Sequence, residues 1–266
     1  MSVITLTTDW GDSEYYRGVV KGMLLKGNPH ASVVDISHHI QRHSVLQGAF
    51  VLKASFMHFP AGTIHLIGIQ SEKRPYVAVA WKEYFFVSAD NGIFGLLLDS
   101  EPDDVVLLED APGSSFPEAR VLVPAAVHLS LGKPLYELGK KTNHLNKNLP
   151  VLPAYHAGEI AGEVIYIDSY RNLITNISRE LFETVGKGRS FEIGVKGGYV
   201  LTTLHRHYDD VPQGEIFALF NSLGLLEIGQ YRGNFADLCS ITAGAPVKIR
   251  FFDGKTENNN PLKHFL

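Results

Sequence analysis

Short β-branched runs that alternate with helical stretches are what most constrain this chain. From Val3 to about Gly139 the order is ITLTT, a helical stretch from Tyr15 to Lys26, SVVDIS, a second helical stretch from Ser44 to Met57, then TIHLIGI. This is the pattern of βαβ units, in which each crossover through a helix returns the next strand parallel to the last. VVDI and IHLIGI are apolar on both faces, as expected of strands covered on each side by helices. YVAVAW and YFFVSA follow around a turn-like Lys82-Glu83, and DNGIFGLLLD opens a helix after a strong turn signal. An α/β domain with a mostly parallel sheet is expected.

Beyond Lys140 the pattern changes. A polar stretch to His156, holding Pro150 and Pro153, reads as a connector. GEIAGEVIYID, NLITNI, FEIGV, YVLTTL, EIFALF and APVKIRF then follow at close spacing with Gly-rich turns, the mark of a small antiparallel barrel or sandwich. The chain is long enough, at 266 residues with 45% hydrophobic content, for two modest cores. The expected division is an α/β domain over residues 1–145, a linker over 146–156 and a smaller all-β domain over 157–266, whose last dozen residues read as a loose tail.

Several function classes drop out. A net charge of -4 without a basic cluster argues against nucleic acid as a partner. With no charged n-region, long apolar h-region or bilayer-length apolar run, a soluble cytoplasmic protein is expected. Cys239 is the single cysteine, so an internal disulfide and a cysteine-based zinc site are both excluded. There is no P-loop, no Gly-x-Ser-x-Gly elbow, and no Gly-x-Gly-x-x-Gly after the first strand. His38, His39 and His43 invite a metal-dependent hydrolase reading, but adjacent residues on an extended segment point opposite ways and no His-Glu-x-x-His helix is present. No metal site is expected.

Polar residues at strand ends remain. Asp9 closes the first strand just before Gly11, at the carboxyl edge where open α/β sheets bind ligands. An ionised carboxylate only accepts hydrogen bonds, so it suits the two hydroxyls of a ribose; the rival reading is a helix cap. Asp168, Tyr170 and Asn172 cluster after an apolar strand, where a ring and an amide suit an adenosine or amino-acid group and a tight turn is the alternative. Asn221-Ser222, Gly224 and Gly233-Asn234 make bends where backbone amides can approach a planar ligand.

Taken in order, TTDWG, VVDISHHI, QGAFVL, FPAGTIHL, SADNG, VPAAVHLSLG, YIDSYRNLITNI, NSLGLLEI and RGNFADL resemble the S-adenosylmethionine hydroxide adenosyltransferase family, relatives of fluorinase and chlorinase, from Ile4 to about Phe252. The resemblance implies a homotrimer whose sites combine the N-terminal domain of one subunit with the C-terminal domain of its neighbour. It implies substitution at C5′ of S-adenosylmethionine by water or hydroxide, giving adenosine and methionine with no cofactor. Asp9 falls at the family's ribose aspartate, Tyr170 at an aromatic flanking the adenine, and Asn172 at an adenine-binding asparagine. Asp168 and Ser222 fall at positions that hold the methionine moiety, and His43 where a pocket-wall tryptophan packs on the ribose in fluorinase.

The departures lie in the water site. An Asp-Pro-Gly-Val-Gly-Thr-x-Arg-Arg loop becomes Ile69-Gln70-Ser71-Glu72-Lys73-Arg74, keeping Arg74 as the catalytic candidate but no aspartate. A Phe-His-Gly-Arg-Asp segment becomes Phe116-Pro117-Glu118-Ala119-Arg120, and neither Gln70 nor Pro117 can act as a base. Glu72 and Glu118 are possible substitutes, both read as solvated loop carboxylates, and Arg171 replaces a glycine in the adenine turn. A protein that binds adenosine or S-adenosylmethionine without catalysis is the alternative.

Overall fold

The β-branched residues of VITLTT form β1 (Val3–Thr8), and the chain returns through α1 (Tyr15–Gly27) to β2 (Ser32–Ser37) in the computed structural model, which describes residues 2–72, 75–111 and 113–253. There follow α2 (Val45–Lys53), β3 (Ile64–Gly68), β4 (Tyr76–Trp81), β5 (Tyr84–Ala89), α3 (Ile93–Leu97), β6 (Asp104–Leu108), α4 (Val123–Ser130) and β7 (Gly139–Lys141). The chain divides into two compact units, Met1–Pro150 and Val151–Leu266.

The first unit carries a seven-stranded sheet in the order β2-β1-β3-β5-β4-β6-β7. Pairing is parallel from β2 through β1 and β3 to β5, and antiparallel from β5 through β4 and β6 to β7. The sheet is therefore mixed, which corrects the mostly parallel expectation. The cause is the Lys82-Glu83 turn, where Lys82 takes φ +54°: a link that short can join only antiparallel neighbours. Every residue of β3 is buried, whereas β2 is an edge strand and only half-buried. One apolar cluster unites Leu6 and Leu66 with Leu24 of α1 and Ala126 of α4; another unites Ile67 and Val79 with Leu52 of α2 and Phe94 of α3. Because β1, β3 and β5 are parallel, their carboxyl ends bring Asp9, Gln70 and Asp90 to one edge.

The second unit comprises β8 (Ala154–His156), β9 (Glu159–Ile167), β10 (Leu173–Ser178), α5 (Arg179–Gly186), β11 (Ser190–Val195), β12 (Val200–Leu201), β13 (Ile216–Phe220), β14 (Leu225–Gln230), α6 (Phe235–Leu238) and β15 (Pro246–Phe252). Its strands run in the order β12-β11-β15-β9-β10-β14-β13, with β8 added beside β9, and all strand pairings are antiparallel. The core includes Ile160, Val164, Ile177, Phe182, Ile228 and Phe251. Ser178 caps α5 by accepting from the Leu181 amide at 3.1 Å. Of YVLTTL, only Val200–Leu201 is strand. The stretch 146–156 is held at both ends: Asn146 bonds Asp90, and residues 154–156 are β8. Among the described residues no helix is long and apolar enough to cross a membrane.

Candidate functional site

The Asp9 carboxylate does not cap α1, whose N-cap is Glu14 with no side-chain bond. Instead Asp9 Oδ2 accepts the backbone N–H of His43 at 2.9 Å and of Gln70 at 3.4 Å. Both donors sit at positive φ, +64° and +46°, in conformations that cost a non-glycine residue energy and turn their amides onto the carboxylate. Two loops, after β2 and after β3, thus converge on a residue that ends β1. Asp9 N–H donates to the Gly68 carbonyl at 3.2 Å, and Gly11 N–H donates to that of His38 at 2.7 Å. The His43 side chain is 65% exposed and 3.6 Å from Glu72, so it is the backbone of this residue, rather than its ring, that meets Asp9.

Trp10 places a second carboxylate beside Asp9. Its Nε1 donates to Glu118 Oε1 at 3.2 Å, and its ring stacks on His38 and meets Phe116 edge-on. Gly68 makes room for the indole, since a Cβ there would fall 2.5 Å from the ring. Glu118 is only 6% exposed, which corrects its reading as a solvated loop carboxylate. Burial raises its pKa; the Ser71 and Trp10 side chains oppose the rise, and the Asp9 charge adds to it. Glu72 is exposed, as expected. Arg74, the catalytic candidate, lies outside the described residues, as does Lys73.

The three histidines diverge. His38 is buried, with Nδ1 2.7 Å from the Thr8 hydroxyl and Nε2 3.1 Å from Asp35, while His39 turns to Asp12 and His43 to Glu72. Among the described residues no three His, Cys, Asp or Glu side chains are grouped to hold a metal.

In the second unit the turn between β9 and β10 is built by Asp168. Its Oδ1 accepts the Asn172 N–H at 2.8 Å and its carbonyl accepts the Arg171 N–H at 3.0 Å, so the turn-forming role is present. Asn172 is buried, and its Nδ2 donates to Glu227 Oε1 at 3.0 Å; Asn221 Nδ2 donates to Glu227 Oε2 at 3.1 Å. Gly229 accommodates the Asn172 side chain, whose Oδ1 would lie 2.1 Å from a Cβ at that position. Burial raises the pKa of Asp168 and Glu227, and burial with the Glu227 charge pushes Tyr208 up to about 12. Tyr170 is 76% exposed and Ser222 is also exposed, so both stand at the surface of this unit. Arg171 takes the glycine-like φ of +66°, yet its guanidinium is drawn off to the Asp237 carboxylate, with Nε 3.0 Å from both oxygens.

Each unit thus gathers its own subset of the expected residues. Asp9 and the His43 backbone meet in the first; Asp168 and Asn172 meet in the second. Sequence reasoning missed Glu227 and Tyr208. The available signal was a lone acid in the apolar run LLEIG, where alternation alone does not say which face is buried.

Residues 4–139 match the SAM hydroxide adenosyltransferase N-terminal domain, and residues 162–248 match the C-terminal domain of the same family. The chain is 29% identical to an (R)-S-adenosyl-L-methionine hydrolase of Thermus thermophilus, over 94% of this chain and 100% of that one. It is 26% identical to an (R)-S-adenosyl-L-methionine hydrolase of Methanocaldococcus jannaschii, over 91% and 93%. An uncharacterized conserved protein from Thermotoga maritima has a similar structure, with a TM-score of 0.83, 25% identity, and coverage of 94% of this chain and 100% of the other. With both domains matched in order over most of its length, the chain belongs to the SAM hydroxide adenosyltransferase family.

Proposed function

We propose that the protein hydrolyses S-adenosylmethionine to adenosine and methionine. The observation that carries this reading within the family is Asp9: a carboxylate fixed at the carboxyl edge of the first sheet by two backbone amides, with no donor among the described residues on Oδ1. Lone pairs left open in this way suit the ribose hydroxyls. The sulfonium makes methionine a neutral leaving group, so the protein's task is to align water with the C5′–S bond and exclude bulk solvent. Tyr170 and Asn172 take the adenine side of the ligand and Asp168 and Ser222 the methionine side. Asn172 Nδ2 donates to Glu227, so this residue also holds the turn that presents Tyr170. Arg74 remains the expected partner of the water, and His43 the pocket wall.

Incubation with S-adenosylmethionine, followed by chromatography of adenosine and methionine, tests the reading. Slow formation of both in equal amounts is expected. Binding without turnover above buffer would replace hydrolysis with a purely adenosyl-binding role. Assembly as a homotrimer is proposed with it: light scattering should give a mass near three chains, and a monomer would remove that part.

A further inference from the structure

We propose that Glu118 is the general base that takes the proton from the attacking water, an inference that rests on the hydrolysis reading. Attack at C5′ forms the carbon–oxygen bond as the C5′–S bond breaks, and the electron pair of that bond stays on sulfur. The water must lose one proton; it passes to the Glu118 carboxylate and then to solvent, leaving adenosine and neutral methionine.

The carboxylates at this edge differ in what they have free. Asp9 Oδ2 already carries two backbone N–H groups, which makes it an anchor. Asp90 is buried, and Asn146 donates to its carboxylate through both its backbone and its side-chain amide. Glu72 is exposed and sits by His43. Glu118 is buried with neutral side-chain donors, Trp10 Nε1 at 3.2 Å and the Ser71 hydroxyl, and without the backbone clamp that Asn146 puts on Asp90. Beside it lies Ser71, 5% exposed, whose hydroxyl faces the same carboxylate and helps to hold its charge, so a water at this edge would meet two buried polar groups. Trp10 follows Asp9 directly in the chain, which sets this pair next to the proposed ribose anchor.

The titratable groups facing Glu118 are Asp9 at the end of β1 and Tyr16 on α1, and among the described residues no lysine or arginine pairs with it. Burial first, and the Asp9 charge with it, favour a carboxylate that holds a proton more tightly than one in water, which makes it a stronger base.

The test compares steady-state hydrolysis of S-adenosylmethionine across pH in the wild-type protein, Glu118→Gln and Glu118→Asp, with ligand affinity from calorimetry and folding from thermal melts. In the wild type, kcat should rise with pH and level off. Glu118→Gln keeps an acceptor for Trp10 and should melt no lower, bind within about threefold of wild type, lose about 100-fold in kcat, and lose the rising limb. Glu118→Asp should keep the limb at reduced kcat. A Glu118→Gln protein that retains wild-type kcat and the same limb would overturn the role of Glu118 while leaving hydrolysis standing. A wild-type protein without turnover would overturn the hydrolysis reading, and the base with it.

Discussion

Asp9 in the first unit and Glu227 in the second are both carboxylates held by nitrogen donors, but the donors differ in kind. Asp9 is gripped on Oδ2 by the backbone of two loops and is only partly buried. Glu227 is 3% exposed and spends one oxygen on Asn172 and the other on Asn221. Backbone donors on one oxygen orient an anion and leave it able to accept from a ligand; side-chain amides on both oxygens complete a buried network that braces a fold. The same chemical group keeps an oxygen open in one unit and is closed into the scaffold in the other.

Removing Glu227 should have the largest effect on folding. Glu227→Ala leaves the Asn172 amide buried without its acceptor and opens a cavity, so the second unit should lose about 3 kcal/mol in urea unfolding. A loss below about 1 kcal/mol would mean that water replaces the network.

Asp9→Ala should act on binding instead. Two charge-assisted hydrogen bonds to a ribose are worth about 1.5 to 3 kcal/mol each, so adenosine should bind at least about tenfold more weakly by calorimetry. 2′-Deoxyadenosine should bind the unmodified protein poorly and lose little more in the variant. Equal affinity for the two nucleosides in the unmodified protein would restrict Asp9 to fixing the two loops.

Proton linkage sharpens the contrast further. Burial raises the pKa of Glu118, Asp168 and Glu227, so each binds its proton more tightly folded than unfolded. Their contribution is complete below the ordinary carboxylate range and is lost as pH climbs through the raised values. His65, with its Nδ1 2.7 Å from the Thr5 hydroxyl, runs the other way: burial lowers its pKa to about 4. Folding of the first unit should therefore lose stability as pH falls from about 6.5 towards 4, by an amount on the order of 3 kcal/mol. Melting points measured across this range should show an acid-side fall that His65→Gln flattens. Glu118→Gln should flatten the fall on the other side of the carboxylate range.

The smallest effect is expected at Arg171. Its pairing with Asp237 is exposed and its φ of +66° suits glycine, so Arg171→Gly trades a weak ion pair for relief of backbone strain. The melting point should move by no more than about 4 °C. A larger fall would show that the guanidinium braces the turn and α6 together.

Much of the site was legible because its signals are local. A strand that ends in Asp9 before Gly11 places a carboxylate at a sheet edge by periodicity alone, and the change of pattern after Lys140 separates two kinds of architecture. The Lys82-Glu83 turn even announced the hairpin that makes the first sheet mixed. What that turn does not reveal is that β4 enters between β5 and β6, because strand order depends on pairings distant in sequence.

By itself, then, the sequence determined the two styles of secondary structure, the strand-end position of Asp9 and the family. Tertiary structure alone decided which carboxylates are anchored, buried or free. Asp9 takes its donors from residues 43 and 70, Glu118 is covered by Trp10, and Glu227 bonds residues 172 and 221. Charge state and hydrogen-bonding capacity follow from solvent exclusion by such distant neighbours. In sequence Glu118 stands among Ser114, Ser115 and Arg120, which look solvated, and only folding puts an indole over it.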